Sequence, residues 1–435
     1  YKLFSRKVLV QLVIILICIG CSIQILRNNG DKRLVYFLWG IMFCNYGVEV
    51  IPHLSVLRIL TIAFYISVYM RKSNRLILLN IPLKRQFILL FIAYLCTGLF
   101  DDRGCSVGLY KAILEYMETF GFILLGYISF YHTNDLHKLL HAILQIALCV
   151  SIYSIITYLI GADIVNSQIP GTDFSMNSGA RVRIPSFYYS SHIAGAAISS
   201  MLIIIISPEN NKNIKHRLLL ALLLFIALLF TGSRSSILAL FVGLIFVYYY
   251  FYSSKVQSHK VLLLVLGLGV VGVVASFISR IPFLSDMFEE GGGDTGGSNI
   301  FMRLQQLVYS YELFLQSPYF GNGFKYFWEV VKVDDSFLSS MLLGAESYVF
   351  VLLIERGLIQ IVTIVYFFFS LIKIFMQYKD KIFIITCMGL TWAFLFNSIV
   401  TGNGDKWSYM MIYIGCGLSV IRNCRKNISC TKKQL

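Results

Sequence analysis

Four stretches of this chain carry residues able to act on an anionic substrate. The first is Arg181-Val-Arg183-Ile-Pro-Ser-Phe-Tyr-Tyr-Ser-Ser-His192-Ile-Ala-Gly195, two arginines ahead of an apolar segment with a histidine inside it. The second is Thr231-Gly-Ser-Arg234-Ser-Ser236, one arginine among small residues. The third has Arg303 followed by Ser317-Pro-Tyr-Phe-Gly-Asn-Gly323, and the fourth is Gly344-Ala-Glu346-Ser-Tyr348, continuing to Glu355-Arg356-Gly357. A guanidinium is a fixed planar fork that grips phosphate or carboxylate through two parallel hydrogen bonds. An ionisable group near membrane depth is costly to hold, so it carries a functional expectation and needs a partner. Ion pairing with neighbouring acids competes with anion binding for these arginines. For Arg181 and Arg356, snorkelling to the interface competes equally.

The composition sets where these residues must sit. The chain has 435 residues, 57% of them hydrophobic and 14% charged, with a mean hydropathy of +0.73. A soluble chain carries roughly 25% charged residues, and its exterior cannot be this apolar. That excludes a cytosolic enzyme, a secreted domain and a disordered tail. Unbroken runs such as Leu218–Phe230 exclude a β-barrel, whose strands alternate. The expected fold is therefore all-α, a polytopic integral membrane protein.

A hydrocarbon core of ~30 Å needs about 20 helical residues. Candidate spans are 8–26, 34–51, 54–70, 87–100, 109–130, 138–160, 187–206, 217–231, 236–252, 261–278, 346–372, 383–400 and 407–421. This makes about 12–13 helices, twelve if the two segments flanking Pro52 do not both cross. The first segment lacks a small-residue cleavage site and reads as a retained helix. Three parts follow: N-terminal transmembrane helices over 1–278, an extracytoplasmic loop with an amphipathic helix over 279–345, and C-terminal helices with a cytoplasmic tail over 346–435.

Net charge is +15, which the positive-inside bias explains better than nucleic-acid binding does. Segments 71–86, 207–217, 253–260, 373–381 and 422–435 are basic and alternate as cytoplasmic loops. The opposite side holds 101–108, 161–186, 232–235, 279–345 and 401–406. Six of its nine basic residues are arginines: Arg103, Arg181, Arg183, Arg234, Arg280 and Arg303. This bias hints at an anionic ligand outside, evenly matched by ion pairing. Within the long loop, Pro318 should stop a helix of about 299–316, and Gly321-Asn-Gly323 should form a tight turn. Lys111, Glu115 and Glu118 share a helix face and read mainly as a structural ion pair. Asp101-Asp102 and Asp334-Asp335 read as solvated loop acids. The ten cysteines form no disulfide framework. With no D-x-D either, no metal and no cofactor are expected.

The four stretches, in this order and spacing, resemble the O-antigen ligase and Wzy-type polymerase superfamily. Its members show an Arg before a mid-chain span, a T-G-S-R-S turn, and a long periplasmic loop with an Arg helix and a G-x-G turn. A reactive position then opens the next span, which continues into E-x-G. The resemblance covers roughly residues 180–360. Ligases of this superfamily usually carry His-Asn where this chain has Ala345-Glu346 or Glu346-Ser347, and no His lies in 279–435. The polymerase branch is therefore favoured.

The resemblance implies glycosyl transfer between two undecaprenyl-pyrophosphate-linked oligosaccharides at the periplasmic face of the inner membrane, for O-antigen or capsule. Arg181, Arg183, Arg234 and Arg303, with Tyr348, would bind the pyrophosphate and substrate. Glu346 is the first candidate for the general base and His192 the second. Implied partners are the lipid-linked donor and acceptor, membrane lipids and a Wzz-type chain-length regulator, with no nucleic acid. The alternatives are an O-antigen ligase and a lipid-linked oligosaccharide flippase or transporter. One large outer loop and no evident internal repeat weigh against transport.

Overall fold

In lipid every backbone N–H and C=O must be satisfied internally, so a chain this apolar folds as helices. The computed structural model describes residues 2–28, 30–43, 49–51, 54–131, 136–161, 184–188, 190–208, 216–253, 300–331, 347–401 and 407–431. The N-terminal group comprises α1 (Lys2–Arg27), α2 (Gly30–Phe43), α3 (Val56–Tyr69), α4 (Lys72–Leu78), α5 (Lys84–Leu99), α6 (Cys105–Glu118), α7 (Phe120–Tyr131) and α8 (Leu136–Ile160). The middle comprises α9 (Ser191–Ile206), α10 (Arg217–Phe230), α11 (Arg234–Ser253) and α12 (Ile300–Gln316). The last group is α13 (Tyr348–Val351), α14 (Gly357–Gln377), α15 (Ile382–Val400) and α16 (Ser408–Thr431). π-Helical turns occupy Phe327–Val331 and Leu352–Arg356.

By length and composition, five of the described helices can cross a membrane: Leu9–Arg27, Leu136–Ile160, Arg234–Tyr252, Tyr348–Gln377 and Ile382–Val400. The pair α6–α7 makes a sixth if its two parts form one span, bent by 44°. The bend falls at Thr119, whose hydroxyl donates to the Glu115 carbonyl at 2.6 Å, a side-chain intrusion that bends helices. Helices α3, α9 and α10 are apolar but shorter. The expected all-helical fold holds, with one small addition. Segment 34–51 is not one helix: α2 ends at Phe43, and Glu49–Ile51 (β1) pairs antiparallel with Leu54–Ser55 (β2). The expected span 261–278 and both expected part boundaries, 278/279 and 345/346, lie outside the described residues.

Every residue of α9 from Ile193 to Ile205 is buried, so α9 is an interior helix, apolar on all sides. Around it, helices close on small residues. Gly126 meets the Ile412 carbonyl and Gly415 the Ile123 carbonyl, joining α7 to α16. Gly243 and Gly389 face each other where α11 crosses α15. Such contacts replace the hydrophobic drive that lipid removes. Outward rows remain apolar, as in Leu9, Leu12, Leu16 and Ile19 of α1 or Val362, Val365 and Phe369 of α14. Exposed apolar rows of this length suit acyl chains rather than water.

Candidate active site

Of the residues expected to act, His192, Arg234, Arg303 and Tyr348 are described; Arg181, Arg183 and Glu346 lie outside the described residues. His192 is the second residue of α9, half-buried, one position after Ser191. Ser190 caps this helix by accepting from the Ile193 N–H at 3.3 Å. One turn further, Gly195 packs against the Thr231–Ser236 turn: a Cβ there would stand 2.6 Å from Ser236 Oγ and 2.9 Å from Ser233 Cβ. Ser199 donates to the Ser236 carbonyl at 2.8 Å. Residues three and four apart share a helix face, so His192 tops the face of α9 that meets this turn. Within the turn, Gly232 has φ +63°, and the Ser233 and Ser236 hydroxyls bond at 2.8 Å. Arg234 then opens α11, half-buried. Ile184, the residue after Arg183 in sequence, donates its N–H to the Phe230 carbonyl at 3.0 Å. The first two stretches thus meet at one corner.

The third and fourth stretches meet at a second corner. Along α12, Arg303, Gln306 and Ser310 form the inward face, with Gln306 and Ser310 buried. Leu304, Val308, Tyr311 and Leu315 form an exposed apolar stripe opposite. The helix stops at Gln316 before Pro318, and α12 packs against α13 and the π-turn beyond it. The Gly321-Asn-Gly323 turn is real and has φ +76° and +106°. Asn322 Nδ2 donates to the Ile354 carbonyl at 2.8 Å and the Leu313 carbonyl at 3.1 Å. Ser347 caps α13 by accepting from Val349 N–H, and Tyr348 N–H donates to the Thr401 carbonyl at 2.9 Å.

Helix α15 links the corners. Its end, Thr401, holds Tyr348, and its middle crosses α11 at Gly389 and Gly243. Rising ~1.5 Å per residue, Arg234 and Val400 stand about 14 and 17 Å from that crossing, on the same side. The Arg234 turn, the start of α9, α12 and Tyr348 therefore belong to one end of the bundle.

Behind Tyr348 lies a buried polar cluster in which Arg356, Glu355 and Glu115, each named from the sequence separately, meet Tyr94 and Phe324. Arg356 is 2% exposed. It donates to Tyr94 Oη at 2.8 Å and to Glu115 Oε1 at 3.1 Å. Its guanidinium lies 4.9 Å from the Phe324 ring centre, 5.3 Å from Tyr94 and 5.6 Å from Tyr348, a cation held by three ring faces. Glu355, also buried, accepts from Phe327 N–H at 3.2 Å. Arg356 therefore does not snorkel.

The expected Lys111–Glu115–Glu118 pairing is corrected here: each residue pairs across elements. Glu115 pairs with Arg356, Glu118 with Arg58 at 3.0 Å, and Lys111 with Glu329. Asp101 is likewise no solvated acid. Its side chain is fully buried and accepts from Arg103 N, Nε and Nη2 at 3.0, 2.9 and 2.8 Å. Burial alone would lower the Arg103 pKa, but the hydrogen bond and charge of Asp101, with Glu329 and Glu355, raise it above the ordinary arginine value. The cluster ties α5, α6, the 317–331 segment and α13–α14 together. Its signal in the sequence was an excess of charge at 101–118, but charge pairing across elements cannot be read from spacing along one.

The arrangement offers cationic and imidazole groups at one helical end, backed by a rigid ionic core. Among the described residues, no group of three or more His, Cys, Asp or Glu could hold a metal ion. Residues 219–368 match the family described as O-antigen ligase. The match supports the O-antigen ligase and polymerase superfamily and does not distinguish the branches. No curated protein matches the chain. Five of the described helices are long and apolar enough to cross a membrane, which fits a multi-pass membrane protein.

Proposed function

We propose that this protein is a repeat-unit polymerase for O-antigen or capsule, joining two undecaprenyl-pyrophosphate-linked oligosaccharides at the periplasmic face. In the reaction, an acceptor sugar hydroxyl attacks the anomeric carbon of the donor glycan. The C–O bond to pyrophosphate breaks, and its electron pair leaves with the phosphate oxygen. Glu346 takes the acceptor proton, with His192 the alternative base. Arg181, Arg183, Arg234 and Arg303 stabilise the departing pyrophosphate without a metal, and Tyr348 lines the acceptor side. The chain acts in three parts, 1–278, 279–345 and 346–435, and a Wzz-type partner sets product length.

The observation that carries this reading is the hydrogen bond from Ile184 N–H to the Phe230 carbonyl. It brings the residue following Arg183 against the turn that bears Arg234, beside the helix that bears His192. A ligase is the second reading, favoured by the family description; Glu346 in place of the ligase His favours the polymerase. Purified protein given lipid-linked repeat units alone tests this. A ladder of products supports a polymerase. Transfer only when a lipid A core or protein acceptor is added would support a ligase instead.

A further inference from the structure

A second polar concavity lies at the other end of the bundle, far in sequence from every residue of the proposed reaction. A cleft of about 500 Å³ opens between α2 and α8. Lys32, His137, Lys138 and His141 line it, each on the first turns of its helix, and each is exposed. One and two turns further along α2, Tyr36 and Trp39 form its wall. Trp39 is braced by a stacked Phe43 at 5.7 Å between ring centres. His141 Nε2 and the Gln145 amide are 3.1 Å apart, so α8 presents them as one polar edge.

Two features distinguish this cleft from an ordinary solvated basic face. Its two lysines come from segments about one hundred residues apart and are brought to one concavity by the packing of α2 on α8. The cationic end passes directly into an aromatic wall, and amphipathic rings of this kind sit at headgroup level. This end also adjoins the basic segment 71–86, since buried Arg33 of α2 donates to Ser67 near the end of α3 at 2.9 Å.

We propose that this cleft binds the headgroup of an anionic phospholipid from the cytoplasmic leaflet. Basic pockets between helices on that side suit phosphate headgroups. The site goes beyond the polymerase reading and shares with it only the orientation of the bundle.

The test uses the full chain in mixed micelles of phosphatidylglycerol and phosphatidylethanolamine, with retained lipid counted by native mass spectrometry. Wild-type protein should retain phosphatidylglycerol selectively. In Lys32→Gln/Lys138→Gln, retention should weaken on the order of 30-fold, the product of two surface cation contacts. Thermal unfolding confirms that the double variant is folded; if it is not, Lys32→Gln alone should still weaken retention about five-fold. Trp39→Leu should also release lipid. Millimolar glycerol 3-phosphate should fail to displace the lipid. Equal retention by wild type and the folded lysine variants, or displacement by glycerol 3-phosphate, would overturn the proposal. The readout is independent of polymer synthesis, so it fails or succeeds separately from the proposed enzymatic activity.

Discussion

Arg356 Nη2 lies 3.1 Å from Glu115 Oε1, both largely buried, and this pair fastens the span that follows the long loop to α6. Removing one member of a buried pair leaves the other charge uncompensated, at a cost of about 3–5 kcal/mol. Arg356→Met and Glu115→Gln should each lower the unfolding temperature and the amount of protein in the membrane. The double variant should recover part of that loss. Thermal unfolding of the four proteins in detergent gives the cycle, and strictly additive losses would show that the contact carries no coupling.

The same junction depends on Gly323. Its φ is +106°, and a Cβ there would stand 2.2 Å from Asp101 Oδ2. Gly323→Ala should destabilise by about 1–3 kcal/mol through strain in the left-handed region and displace Asp101 from Arg103. Limited proteolysis between 317 and 331 should speed up in the variant. An unchanged cleavage rate would mean that the turn relaxes freely.

Much of this architecture is legible in the sequence, and the exceptions have physical causes. Apolar runs mark α8, α10, α11 and α15 because lipid leaves the backbone no other partner. The run 34–51 misleads because Val50-Ile51 and the following Pro52 suit a strand and turn as well as a helix, and the chain forms β1 and β2 there. The span 109–130 is broken because Thr119 competes for a backbone carbonyl, a local bond that hydropathy does not register. At the candidate site, the Thr231–Ser236 turn and the Gly321–Gly323 turn were readable from small residues alone. The Arg356 cluster was not, because Tyr94, Glu115 and Phe324 come from three segments and their meeting is a tertiary fact.

Arginine shape gives a sharper test than arginine charge. Lysine keeps the charge of Arg183, Arg234 and Arg303 but loses the two-pronged hydrogen bond. Each single Arg→Lys variant should slow polymer formation at normal protein level, with Arg234→Lys leaving the fold intact because Arg234 is only half-buried. Full activity in all three would reduce these residues to structural pairing.

Turnover should persist in EDTA, since the proposed reaction balances the pyrophosphate charge with arginine alone. Radiolabelled product length, measured with and without chelator, checks this. Loss in EDTA and recovery with magnesium or manganese would require a metal at the site.

The most direct measurement is the product ladder made by Glu346→Gln. Glutamine keeps the size and most hydrogen bonds but cannot take a proton, and losing a general base typically costs about 10²–10⁴ in rate. The account predicts normal expression, retained binding of lipid-linked repeat units, and collapse of the ladder to a single-repeat band, with a trace of activity in Glu346→Asp. A Glu346→Gln protein that still builds a full-length ladder would contradict it and transfer the role to His192, whose Ala variant should then be inactive.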